Sequence, residues 1–214
     1  MQYSADWSEE ASLGDGTLVL LRFVRPKDAE ALREGFEQLS PRSRYLRFHG
    51  TRAHLSGPDL EYLTQPDGED HVAIGARLLD PLGREGRGVG VARFVRLAGQ
   101  PQAAEAAVTV VDDFQRRGLG KLLMSRLADA ARERGIERFD AEVLTSNQSM
   151  LHLLEGLGTC AGEAEDGVLH LKVPIAPPVE PAPDPLGAAM NLAAQGVFRI
   201  LGWPPRGRDG APRT

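Results

Sequence analysis

The stretch from Val108 to Gly135 limits the folds open to this chain more than any other. Val108, Val110 and Val111 are apolar and β-branched, which predicts a buried strand. Asp112 and Asp113 end that run, and Gln115-Arg116-Arg117-Gly118-Leu119-Gly120 follows as a tight turn. Leu119, Leu122, Leu123, Leu127, Ala130 and Ala131 then recur at the spacing of one helix face, with Gly135 as a stop. A strand therefore delivers a glycine-rich turn to the start of a helix. The first turn of a helix offers free backbone N–H groups and the positive end of its dipole. Gly118 and Gly120 lack a Cβ and let a ligand approach that backbone. Arg116, Arg117 and Lys121 add positive charge. The combination suits a phosphate or pyrophosphate, although its glycine spacing is not that of a Walker loop.

The rest of the chain alternates strand and helix signals. Thr17–Val24, His71–Leu79, Gly88–Leu97 and Ala103–Val111 read as strands. So do Glu137–Thr145, Thr159–Glu163 and Val168–Val173. Ala29, Leu32, Phe36 and Leu39 predict a first helix behind Pro26 and Asp28. Ser40-Pro41 caps a second helix that carries Tyr45, Leu46 and Phe48. Asn147 caps a short helix reaching Leu157. Asp80–Arg87 is a hairpin: a strand follows its glycines, which argues against a nucleotide loop. The predicted order is β-α-α-β-β-β-α-β-α-β-β, an α/β domain with a mixed central sheet and helices on both faces.

The hydrophobic fraction of 42% supports a core, and a net charge of −5 argues against broad nucleic-acid binding. The single cysteine, Cys160, reads as a structural thiol in a reducing compartment, so the cytoplasm is the expected location. Residues 1–16 are polar and acidic and read as a flexible leader, not a signal peptide. No apolar run is long enough to span a membrane, and no metal-ligand cluster is expected, His49 and His54 lacking suitable partners. Six of the twelve residues from 174 to 185 are proline, which predicts an extended linker after a domain of residues 17–173. Leu186, Met190, Ala193, Val197, Ile200 and Leu201 predict an amphipathic helix over 186–203, with a disordered tail over 204–214. Three uses of that helix are open: docking on the domain, pairing two subunits as a homodimer, or resting on a membrane, the last with little basic charge to help it.

Several of these stretches resemble one family. Gln115-Arg116-Arg117-Gly118-Leu119-Gly120 is similar to the acetyl-CoA pyrophosphate loop of the GNAT N-acetyltransferases. Leu21–Ala29 resembles the family's first strand and helix start, and Val143–Met150 its later strand and helix start. Leu39–Phe48 resembles a stretch typical of bacterial Pat-type protein lysine acetyltransferases. The likeness covers residues 17–174. It implies the GNAT fold with a C-terminal appendage and acetyl-CoA as co-substrate, with no metal. The implied activity is acetylation of a primary amine, a protein lysine first. A small-molecule amine acceptor and a non-catalytic acyl-CoA sensor stand as alternatives, as does an interaction protein built on the C-terminal helix.

The resemblance also implies roles for single residues. Glu105, ten residues before Gln115, is the expected general base, tuned by burial beside Ala104, Ala106 and Ala107. Gln115, Arg116, Arg117, Gly118, Leu119, Gly120 and Lys121 are expected to hold the pyrophosphate. The strand edge at Val108–Val111 is expected to splay and pair with the pantetheine arm, the N–H of Val110 or Val111 polarising the thioester carbonyl. Asn147 is expected to bond that arm as well as cap its helix. Arg42, Arg44 and Arg47 are either acceptor contacts or a solvated face. Many members carry a tyrosine seven residues after the asparagine to protonate the thiolate. Here that position is Leu154, so the proton donor is unassigned.

Overall fold

The computed structural model describes residues 2–48, 50, 53–158 and 161–175. Cys160, the proline-rich segment beyond residue 175 and the expected C-terminal helix lie outside the described residues. The strands are β1 (Ser8–Ser12), β2 (Leu18–Phe23), β3 (His71–Leu79), β4 (Glu85–Leu97), β5 (Gln100–Val110), β6 (Arg138–Leu144), β7 (Ala161–Glu165) and β8 (Val168–Pro174). The helices are α1 (Ala29–Glu37), α2 (Pro41–Phe48), α3 (Gly57–Thr64), α4 (Leu119–Arg132) and α5 (Gln148–Glu155). The strands form one mixed sheet in the order β1-β2-β3-β4-β5-β6-β8-β7. Every neighbouring pair is antiparallel except β5–β6, which is parallel.

Strand alternation sends side chains to two different layers. On one face, Leu21, Ile74, Ala92, Phe94, Ala104 and Phe139 meet Leu119, Leu123, Met124 and Leu127 of α4, all of them fully buried. On the other, α1–α3 gather a smaller core of Phe36, Leu39, Leu55 and Leu60, with Leu32, Phe48 and Leu63 against it. One buried charge cluster fixes the corner between β2, β4 and α1. Arg22 donates two bonds of 2.8 Å to Asp28 and one of 2.9 Å to Glu85. Burial alone would raise the Asp28 carboxyl; Arg22, the Arg25 N–H and Arg77 outweigh it and hold that carboxyl below its usual range. Among the described residues, no helix is long and apolar enough to cross a membrane.

Two parts of the expected order need correction. The described part of the expected leader, residues 2–16, is not loose. They place β1 against β2 and bury Tyr3, Trp7 and Leu13 in the main core. Tyr3 and Trp7 pack ring against ring at 4.7 Å, and Trp7 meets Phe23 at 5.7 Å. Glu9 takes two bonds of 2.6 Å from Arg126 of α4. The second correction is α3, a helix absent from the expected order. Its start is a reciprocal cap in which Ser56 accepts from the Asp59 N–H and Asp59 accepts from the Ser56 N–H.

If the N-terminal strand belongs to the cooperative unit, Trp7→Ala should cost about 3 kcal/mol of unfolding free energy. Urea denaturation checks this. A cost below about 0.5 kcal/mol, usual for an exposed position, would return the segment to the status of a leader.

Candidate functional site

The site begins at the turn entering α4. After a single 3-10 turn at Asp112–Phe114, Arg116 takes φ 59° and Gly118 takes φ 89°. The left-handed region is natural for glycine and disfavoured for arginine by about 1–2 kcal/mol. Gly118 caps α4, whose first internal bond runs from the Leu122 N–H to the Gly118 carbonyl at 3.0 Å. The N–H groups of Leu119, Gly120 and Lys121 therefore have no partner within the helix. A Cβ on Gly120 would lie 2.9 Å from Leu153 Cδ1, so α5 packs directly on this first turn. Arg116 and Lys121 are exposed beside it. Arg117 is held to one side, 2.8 Å from Asp15 and over the Phe114 ring at 4.9 Å. The Gln115 side chain turns back into the protein, donating to the Val110 carbonyl at 3.0 Å and to Asp112 at 2.7 Å.

The strand leading into this turn loses its neighbour. Only Ala103, Ala104 and Glu105 of β5 are paired with β6, opposite Arg138, Phe139 and Asp140. Alternate residues of a strand send their N–H and C=O groups to opposite sides. The Val111 N–H donates to the Val89 carbonyl at 3.0 Å, and the Gln102 carbonyl accepts from Glu137 on the β6 side. Odd-numbered residues thus face β4, and Ala106, Val108 and Val110 face the gap that opens beyond Glu105. Of the two donors expected for a carbonyl, Val111 is engaged with β4 and Val110 points to the opening. Asn147 lies on the far side of the sheet parting, half-buried, and its Oδ1 accepts from the Met150 N–H at 3.3 Å.

Glu105 faces a cavity of about 270 Å³, lined with it by Ala107, Val95, Arg93, Arg47, Phe48, Leu63, Asp59 and Tyr62. The expected burial of Glu105 is not found. It is exposed, because its side chain projects to the face opposite Ala104 and Ala106. It has no hydrogen-bond or ion-pair partner among the described residues. Of the three arginines weighed on α2, Arg47 lines this cavity, Arg42 is exposed, and Arg44 is structural. Arg44 donates to the Glu37 and Ala53 carbonyls and lies over the Phe36 ring. Leu154 is fully buried in the core and His152 is exposed, its Nδ1 2.8 Å from the Gln148 carbonyl.

Sequence reasoning missed four contributors. Tyr62 reaches the cavity from α3, stacked on His71 at 4.9 Å. Arg93 is 6% exposed and reaches it from β4. Burial, with Arg47 nearby, lowers its guanidinium to about 10, which leaves it charged at neutral pH. Asp112 and Ser43 tie α2 to the glycine-rich turn. Asp112 accepts from the Ser40 N–H at 2.5 Å, from the Ser43 hydroxyl, and from Gln115. Burial would raise the Asp112 carboxyl; these donors hold it below its usual range. The Ser40-Pro41 start was legible as a cap, and Ser43 N–H does donate to Ser40 Oγ at 3.1 Å. Its bond to Asp112, far along the chain, had no local signal.

Free N–H groups at a helix start, an unpaired strand edge and a carboxylate where the edge begins fit a diphosphate carrying an amide-bearing arm. The acetyltransferase (GNAT) family model matches residues 41–159, and the chain belongs to this family. It is 36% identical to acetyltransferase Pat of Mycolicibacterium smegmatis over 168 residues, which are 78% of this chain and 49% of Pat. It therefore spans about half the length of that relative. It is 35% identical to acetyltransferase PA5475 of Pseudomonas aeruginosa over 152 residues, 71% of this chain and 79% of that one. Among solved structures it matches the GNAT domain of S. lividans PAT with a TM-score of 0.71 and 34% identity. That match covers 80% of this chain and 99% of the other.

Asp112→Asn offers one acceptor oxygen where three donors converge, and should cost about 1–2 kcal/mol of stability, read by urea unfolding. His71 gives a pH test. Burial first and Arg93 second hold its imidazole below the usual range, against Asp67. The folded state keeps it neutral, so the unfolded chain binds the extra proton. The stability it allows is full above about pH 6.5 and falls as pH drops below that value. Thermal midpoints at pH 7.5 and 5.5 should differ less in His71→Gln than in the wild type.

Proposed function

We propose that this chain transfers the acetyl group of acetyl-CoA to a primary amine, a protein lysine side chain in the first instance, with Glu105 as general base. One observation carries the reading. The sheet parts immediately after Glu105, so an exposed carboxylate stands at the head of an unpaired backbone edge that runs down to the glycine-rich turn. The Pat-like stretch Leu39–Phe48 supplies α2, which lines the same cavity through Arg47 and Phe48. Acetyl-CoA, when bound, supplies an activated acyl group and a good leaving thiolate.

The residues divide the remaining work. The N–H groups of Leu119, Gly120 and Lys121, with Gly118, Arg116 and Lys121 around them, hold the pyrophosphate. Gln115 acts on that site through its bonds to Val110 and Asp112, and Arg117 through its charge. Val110 pairs with the pantetheine arm, and Asn147 adds its Nδ2 donor, since its Oδ1 serves the cap. Val108 stands about 10 Å along the strand from Glu105 and Val110 about 17 Å. Val108 is therefore the N–H nearer the base and the better placed to polarise the thioester carbonyl. A lysine amine has a reference pKa near 10.4 and is protonated at neutral pH. Glu105 removes that proton, directly or through a water. Leu154 contributes packing alone, and the thiolate leaves without a dedicated acid.

Glu105→Gln should lower kcat by about 100-fold or more and leave acetyl-CoA affinity unchanged, measured by thiol release and calorimetry. Equal turnover in both proteins would remove Glu105 from the role. Gly118→Ala forces a side chain to φ 89°. It should weaken acetyl-CoA binding by about tenfold, through about 1 kcal/mol of backbone strain and displacement of the loop N–H groups.

A further inference from the structure

The arginines of this domain mostly have acids beside them. Arg22, Arg77, Arg96, Arg126 and Arg138 each lie within 3.4 Å of a carboxylate. Arg93 is more buried than most of these and has none among the described residues. Its Nη1 donates to the His71 imidazole at 3.1 Å and its Nη2 to the Leu63 carbonyl at 3.2 Å. Both partners are neutral acceptors. They fix the plane of the guanidinium and leave its charge uncompensated. A buried cation without a counter-ion is costly, and a folded chain keeps one where something else supplies the anion.

Position says where that anion comes from. Arg93 lies opposite Ala107 in the β4–β5 ladder, and Glu105 lies opposite Val95. Arg93 and Glu105 are therefore diagonal neighbours on one face, with Cβ atoms roughly 7 Å apart. Both line the same cavity, yet they form no ion pair. Arg47 adds positive charge to the cavity wall and Asp59 offsets it. The wall thus presents a cation and an anion side by side, the complement of a molecule carrying an amine next to a carboxylate. A guanidinium fork is well matched to a carboxylate, which it can bind through two parallel bonds.

We propose that Arg93 is a specificity residue of the acceptor site, holding a carboxylate of the acceptor while Glu105 faces its amine. The inference rests on the acyl-transfer reading above and adds the acceptor's chemistry to it. The carboxylate has two sources: an Asp or Glu beside the lysine of a peptide, or the α-carboxylate of a free amino acid.

The test compares isosteric acceptor pairs. One pair is N-acetyl-Asp-Lys-Ala-amide against N-acetyl-Asn-Lys-Ala-amide; the other is L-leucine against leucinamide. At saturating acetyl-CoA, the wild type should favour the carboxylate member of one pair by about 10- to 100-fold in kcat/KM, carried by KM, as a charge-assisted bond allows. The pair that shows it names the source. Arg93→Gln should erase the preference and Arg93→Lys should keep part of it, with acetyl-CoA affinity unchanged in both as proof of folding. A second readout needs no turnover: the Arg93 Nε–H resonance should shift on adding the favoured member and not its amide. A resonance shift without acetyl transfer would keep the anion site and sink the transferase reading. Transfer without preference for either carboxylate, or the same preference in wild type and Arg93→Gln, would overturn the proposal and leave the transferase reading standing.

Discussion

The β5–β6 pair holds for three residues and then parts, and everything else at the site depends on that parting. A parallel pair buried under helices on both faces would ordinarily continue, because an unpaired backbone group away from water is expensive. Here β6 keeps its far edge paired with β8 from Arg138 to Leu144, while its edge toward β5 is paired only as far as Asp140. Ala106, Val108 and Val110 are left with backbone groups directed into a gap, and one of them, the Val110 carbonyl, is met by Gln115. The edge leads from an exposed carboxylate at one end to a helix start with free N–H groups at the other. A long substrate with an acyl end and a diphosphate end fits that line.

The two sides of the site are joined by charge and hydrogen bonding. Asp112 holds the start of α2 and the glycine-rich turn together, so the helix lining the cavity at Glu105 and the loop that opens α4 share one anchor. In the cavity wall, the neutral His71 and the Leu63 carbonyl position Arg93 without neutralising it. The strain at Arg116 lies in the same turn, where a non-glycine residue in the left-handed region carries a cation to the loop surface.

Much of the fold was legible in the sequence because the periodicities are strong. The strand from His71 to Leu79 was read with both ends correct, and α4 with its start. The predicted strands ending at Glu163 and starting at Val168 leave a short connection, and there Asp166 and Gly167 take φ 49° and 82°. The first strand was not legible. Glu9 and Glu10 make it polar, and its place depends on Trp7, Tyr3 and Arg126, contacts that span most of the chain. The helix at Gly57–Thr64 is short, and its cap uses Asp59 where a glutamate is the commoner signal. At the site, the turn and Asn147 have local motifs, whereas Tyr62, Arg93 and Asp112 enter only because the chain folds back on itself. The alternation that aims Val110 at the gap and Val111 at β4 depends on ladder register, which composition does not carry. The expected burial of Glu105 failed for the same reason: Ala104 and Ala106, its immediate neighbours in sequence, lie on the opposite face of the strand, and Ala107 lines the open cavity with it.

Amide hydrogen exchange along β5, with and without acetyl-CoA, tests the central claim most directly. If the parted edge receives the thioester arm, the N–H groups of Val108 and Val110 should exchange markedly more slowly once acetyl-CoA is bound. The Val111 N–H, already bonded to Val89, should change little. Binding of acetyl-CoA with no new protection at Val108 or Val110 would contradict the account, and would place the arm somewhere other than the gap beside Glu105.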